Sequence, residues 1–282
     1  MTVPCPVEPT LDGTARVRDG VRIRFSVHRG ATRSRRVALV HSLALDRGIW
    51  AYVVPHLVEH ADVVTYDCRG HGESGAGAYD YSMPQFADDL ADLLDALGWP
   101  DALVAGASMG GAVAQQFAAS HADRTVGGVF VDTTAWYGEG APGTWRARGA
   151  TARETGFASM LDFQFSRWFG DDFGRQHPDA VDALRETFLA NDVDAYEATC
   201  AMMGDYDLRS LAPHITAPAA VLVGGDDYAT PPEMAKALAA SVDAAPPTVL
   251  DGAKHLTPLE RPAEIAAGIL ETLERADGAA RA

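Results

Sequence analysis

Short continuous apolar runs alternate with longer segments of helical apolar spacing along most of this chain, and that alternation predicts its elements. Near the start, Ala15–Arg18 and Val21–Val27 alternate apolar and polar positions on either side of Asp19-Gly20, the pattern of a hairpin around a tight turn. Beyond it, Val37–His41, Asp62–Tyr66, Ala102–Ala105, Val126–Asp132, Ala219–Val223 and Thr248–Leu250 read as buried strands. Trp50–Val58, Met83–Leu97, Gly110–Ser120, Pro231–Val242 and Pro262–Glu274 read as amphipathic helices. Strands without a polar face, separated by helices, imply a parallel sheet covered on both sides. Residues 1–13 are rich in proline and are expected to be loose.

The alternation stops between about Thr133 and Ala212. That stretch is helical in its apolar spacing, rich in aromatic residues and without a clear strand. It is too long and too regular for a loop, so it predicts a helical cap at 133–212 inserted into an α/β core made of 1–132 and 213–282.

A chain of 282 residues can hold one sizeable core plus such an insertion. Its formal net charge of −16, with no stripe of Lys and Arg, argues against a nucleic-acid surface. Cys5, Cys68 and Cys200 are far apart and odd in number, which suggests neither a disulfide framework nor a zinc site and fits a reducing compartment. With no signal-like N-terminus and no apolar run of about 18 residues, the expectation is a soluble, cytoplasmic protein without a membrane partner.

The chemistry centres on Gly106-Ala-Ser108-Met-Gly110, which follows an apolar strand and opens a helix. In that setting the string reads as a sharp strand-to-helix turn that lifts a serine hydroxyl above the sheet edge. Serine needs a base, and the base needs a carboxylate to hold its tautomer. Both follow in chain order: acids in Val221-Leu-Val-Gly-Gly-Asp226-Asp227, and a histidine in Thr248-Val-Leu-Asp-Gly-Ala-Lys-His255. Ser108, His255 and Asp227 are therefore the candidate catalytic residues, with Asp226 and Asp132 as the other acids that end strands. An oxyanion would be held by the backbone N–H of Met109 and by that of Leu43, in the loop His41-Ser42-Leu43-Ala44. Asp67, Arg69, Ser74 and His71 read as a hydrogen-bonded turn rather than as part of the site.

With these residues in place, the chain resembles α/β-hydrolases of the 3-oxoadipate enol-lactonase type over nearly its whole length. The likeness rests on His41-Ser42-Leu43, Tyr66-Asp-Cys-Arg69-Gly-His-Gly-Glu-Ser74, Ser108-Met-Gly-Gly111, Trp145-Arg-Ala-Arg148, Arg167-Trp-Phe, Asp205-Tyr-Asp207-Leu-Arg209 and Thr230-Pro-Pro. His41 stands where those lactonases commonly carry asparagine. The resemblance implies an α/β-hydrolase fold and a cofactor-independent enzyme that cleaves a small carboxylic ester or lactone through an acyl-enzyme. The same residues are compatible with C–C bond hydrolysis, with perhydrolase or acyl-transfer chemistry and, outside catalysis, with a small-molecule receptor; homo-oligomerisation is left open.

Cap residues would select the substrate. Aromatic side chains such as Trp136, Tyr137, Trp145, Phe163, Trp168, Tyr196 and Tyr206 could form an apolar chamber. Residues 133–168 also carry Arg146, Arg148, Arg153 and Arg167 against Glu139, Glu154 and Asp162, a local basic surplus suited to a carboxylate-bearing substrate. His41, Trp136, Trp145, Arg148 and Trp168 are the candidate substrate contacts.

Overall fold

The computed structural model describes residues 2–31 and 34–281. Its strands are β1 (Leu11–Arg16), β2 (Arg22–His28), β3 (Arg36–Val40), β4 (Asp62–Tyr66), β5 (Ala102–Ala107), β6 (Thr125–Val131), β7 (Ala219–Gly224) and β8 (Thr248–Leu250). They form one sheet in the order β1-β2-β4-β3-β5-β6-β7-β8. The β1–β2 and β2–β4 pairs are antiparallel, and from β4 to β8 every neighbouring pair is parallel. The crossing from β4 to β3 to β5 puts β5 in the middle of the sheet, and Ser108 directly follows that strand.

Local chemistry explains the element ends. The hairpin turn closes through Val17 N to Val21 O at 3.0 Å, with Gly20 at φ +87°. The helix Met83–Leu97 starts where Ser82 Oγ accepts from Gln85 N, and it stops at Gly98, φ +67°, whose left-handed conformation costs glycine little. Trp50–Val58 is not one helix. A short turn at Arg47–Trp50 is capped by Asp46, and a separate turn at Val54–Leu57 begins around Pro55, which has no N–H to continue the earlier one.

The N-terminal segment is not loose over its described part. Val3 is buried, Thr2 Oγ1 donates to Asp46 Oδ1 at 2.8 Å, and β1 begins at Leu11 as a paired edge strand. Met1 lies outside the described residues.

Between β6 and β7 the chain inserts the helices Ala141–Thr155, Leu161–Trp168, Asp171–Gln176, Pro178–Leu189 and Val193–Asp205. The first and last of these pack closely, Gly149 lying against Glu197 and Cys200 where a side chain would crowd. This helical region sits on the core beside the carboxyl ends of the central strands, as the hydrogen bonds from His255 N to Arg167 O (3.3 Å) and Leu256 N to Trp168 O (2.8 Å) record. Among the described residues no helix is long and apolar enough to cross a membrane.

Candidate active site

The turn after β5 is built by what its neighbours lack. Ser108 has φ +56° and ψ −115°, a strained conformation for a residue with a side chain. A Cβ on Gly106 would lie 1.9 Å from Gly110 O, and one on Gly110 would lie 2.2 Å from Val40 O, so both positions admit only glycine. The turn is held by Ser108 N to Val131 O at 2.9 Å and by Thr133 Oγ1 to Ser108 O at 2.8 Å. Its result is a hydroxyl facing a cavity.

Ser108 Oγ is 2.9 Å from His255 Nε2, and His255 Nδ1 is 2.7 Å from Asp227 Oδ2. Asp227 also accepts from Ala229 N (2.8 Å), Thr230 N (3.0 Å) and Thr230 Oγ1 (2.8 Å), which fixes its carboxylate. Burial disfavours charge on Asp227, but the facing His255 and these donors outweigh it and hold the carboxyl below the usual range. For His255, burial opposes the imidazolium, and the Asp227 charge and hydrogen bond overcome it, so the ring sits above its ordinary value.

The other two acids are elsewhere. Asp226 is exposed, with its backbone N–H given to Ala253 O at 2.9 Å. Asp132 is fully buried and accepts from Gly224 N (3.0 Å), Thr257 N (3.1 Å) and Thr257 Oγ1 (2.6 Å). It thereby ties the end of β6 to the end of β7 and to the chain just past His255. Burial, reinforced by the Asp227 charge, pushes its carboxyl upward.

The Met109 N–H is the first of the helix Met109–Ser120 and so has no acceptor one turn back. Leu43, with Ser42, lines the same cavity as Ser108. His41 does not. It is buried beneath that loop, with Nδ1 against Ser42 O at 2.7 Å and Nε2 accepting from Cys68 N at 2.8 Å. Burial lowers it to about 4, so it is a neutral strut between two loops and has no nitrogen left for substrate. Asp67, Arg69, Ser74 and His71 build the adjacent turn: Asp67 pairs with Arg47, Arg69 forks onto Asp89, and Ser74 Oγ donates to Asp67 O.

The cavity above Ser108 has a volume of about 550 Å³. Trp145, Arg148 and Trp168 line it, and so do Tyr137 and Phe163. Trp136 does not; the Arg209 guanidinium lies over its ring at 3.6 Å. Tyr196, Met202, Met203 and Tyr206 are buried within the inserted helices and are likewise absent from the lining. Gln164, Met160 and Tyr228 do line the cavity, and the sequence reading did not single them out. A signal for Gln164 existed: it shares the inward stripe Leu161, Gln164, Trp168 at i, i+3, i+7, where a glutamine is out of place. Among the described residues, no group of three or more His, Cys, Asp or Glu side chains could hold a metal ion.

Residues 37–268 match the model of the alpha/beta hydrolase family. The chain is 28% identical over 222 residues to 3-oxoadipate enol-lactonase 2 of Acinetobacter baylyi, covering 79% of this chain and 82% of that one. It is 30% identical over 246 residues to the pimeloyl-acyl-carrier-protein methyl ester esterase of Chromobacterium violaceum, covering 84% and 94%. Among solved structures, the enol-lactonase of Burkholderia xenovorans LB400 superposes with a TM-score of 0.85 at 30% identity, covering 93% of this chain and all of that one. A mostly parallel sheet with a strained serine turn after its central strand, an inserted helical region and a match across residues 37–268 lead to one conclusion: the chain belongs to the alpha/beta hydrolase family.

Proposed function

We propose that this chain is a cofactor-independent serine hydrolase that cleaves a small carboxylic ester or lactone. The observation that carries the reading is the relay Ser108 Oγ–His255 Nε2 at 2.9 Å and His255 Nδ1–Asp227 Oδ2 at 2.7 Å, opening on a cavity between the core and the inserted helices. Ser108 Oγ attacks the carbonyl carbon while its proton passes to His255 Nε2, and Asp227 stabilises the imidazolium that forms. The N–H groups of Met109 and Leu43 receive the oxyanion. As the tetrahedral intermediate collapses, the alkoxy or enol oxygen leaves with the proton from His255. Water then releases the acid from the acyl-enzyme by the same steps.

Residues 133–212 act in this reading as a substrate-selecting cap on a core of 1–132 and 213–282, with Trp145, Arg148 and Trp168 in contact with substrate. Two of the relatives above are enol-lactonases and a third is a methyl ester esterase, which supports a carboxylic ester or lactone as substrate class. Three free thiols suit a cytoplasmic setting. The test is covalent. An aryl phosphonate should inactivate the enzyme with a stoichiometric release of phenol and leave its phosphonyl group, the reagent less phenol, on the peptide carrying Ser108, and labelling at any other residue, or none, refutes the reading.

A further inference from the structure

Gln164 is 3% exposed and lines the cavity, yet its carboxamide nitrogen meets no acceptor among the described residues. The orientation of that amide is set by its neighbour. Arg148 Nη2 donates to Gln164 Oε1 at 3.2 Å, and an arginine can only donate, so the oxygen of Gln164 must face it and the NH₂ must face away. Arg148 is itself held in place, with Nε donating to Tyr196 OH at 2.7 Å and its guanidinium 5.1 Å from the Trp145 ring centre.

A buried amide without a partner is destabilising, so its retention on a cavity wall needs an explanation. The charge around it supplies one. No Asp or Glu lines the cavity, while two arginines, Arg148 and Arg167, do, in a chain whose formal net charge is −16. Among the described residues neither arginine has a carboxylate within ion-pair distance, and Arg167 Nε is a second buried donor without an acceptor. By contrast Arg146 and Arg153, on the same helix as Arg148 but turned outward, both pair with carboxylates. Gln164 Nε2 and Arg167 Nε are thus buried donors without acceptors on the cavity wall, beside a second guanidinium that no carboxylate neutralises.

We propose that Gln164 is a specificity residue: its NH₂ donates to a second oxygen-bearing group of the substrate, an anionic one that it shares with Arg148 and that is distinct from the scissile carbonyl. The proposal rests on the hydrolase reading of the same site. Arg148 performs two tasks in it, supplying charge and holding the Gln164 amide in the donating orientation.

The test compares mono-p-nitrophenyl esters of adipic, pimelic and suberic acids with the p-nitrophenyl esters of hexanoic, heptanoic and octanoic acids, three pairs matched in length. The readout is the ratio of kcat/KM within each pair, which cancels any general loss from a less well packed helix. In the wild type the acid member should be favoured in at least one pair, and Gln164→Met should lower that ratio by about tenfold or more. Gln164→Glu keeps an acceptor for Arg148 but replaces the donor with a carboxylate, so it should lower the ratio further than Gln164→Met. Absence of any wild-type preference overturns the proposal. An undiminished ratio in Gln164→Glu also overturns it, since Gln164 would then serve only to hold Arg148. If wild type turns over no ester and Ser108 takes no phosphonate, the hydrolase reading and this proposal fall together, whereas ester turnover with an unaltered ratio removes the proposal alone.

Discussion

On the core side of the cavity, Asp227, Asp132 and His255 meet their hydrogen-bonding partners within the protein, whereas on the side of the inserted helices Gln164 and Arg167 present buried donors that the described residues leave unmatched. The difference separates two kinds of work. Groups that must hold a fixed geometry while charge moves between them gain from being fully satisfied beforehand, because little then has to reorganise during reaction. Groups that recognise a ligand need capacity to spare. The core side is also clamped by backbone, with glycines at 106 and 110 approached to within about 2 Å of where a Cβ would stand, while the inserted helices meet the histidine loop through a few carbonyls and through Glu260, which accepts from both Gly170 N and Lys254 N at 2.7 Å.

The sharpest test of the core side is Ser108→Ala, which should cost roughly three or more powers of ten in kcat/KM for p-nitrophenyl acetate. A rate within about threefold of wild type would break the comparison, because the chemistry would then lie elsewhere. Next comes the acid. Asp227→Asn should cost about a thousandfold or more, and the exposed Asp226→Asn no more than about twofold. A reversed order shifts the acid by one residue, and an effect confined to Asp132→Asn puts it before the inserted helices.

The same pair sets the pH profile. His255 must be neutral to accept the proton, so kcat/KM should fall as pH drops through its pKa, with a midpoint above the ordinary imidazole value because Asp227 outweighs burial. In Asp227→Asn the residual activity should lose its acid limb at lower pH than wild type. An unmoved limb would mean that Asp227 does not face the base in solution.

Two smaller effects address the inserted helices. Arg148→Met should raise KM for a carboxylate-bearing lactone by about ten- to a hundredfold more than for a neutral aryl ester. Equal losses would make Arg148 a packing residue and dissolve the contrast between the two sides. Arg153→Ala, which removes an exposed ion pair with Asp194 and Glu197, should leave KM unchanged and shift Tm by no more than about 2 °C. A kinetic effect there would show that inner and outer arginines do not differ in role.

Much of the core was legible because its signals are local. The strands Asp62–Tyr66 and Thr248–Leu250 and the helix Met83–Leu97 occur at the expected residues, since apolar runs and caps act over a few positions. The split of Trp50–Val58 was less visible, although Pro55 was its cause. His41 was misread for a different reason: a histidine beside an oxyanion loop looks like a substrate contact until the chain shows Cys68 N donating to it from a separate strand end.

The sequence by itself determined the alternation of strand and helix, the glycine-flanked serine turn, and the chain order of serine, acid and histidine, because each depends on backbone sterics or on spacing along the chain. Which aspartate meets His255, which aromatic residues reach the cavity, and which arginines find a carboxylate were decided only by tertiary structure. Those outcomes depend on the direction a side chain takes after helices far apart in sequence have packed. Arg146 and Arg148 are two residues apart on one helix, yet one pairs with Asp205 in solvent and the other stacks beside Trp145 and fixes Gln164. A helical turn of about 100° per residue carries them to different surfaces, and only the packed neighbours give those surfaces their meaning.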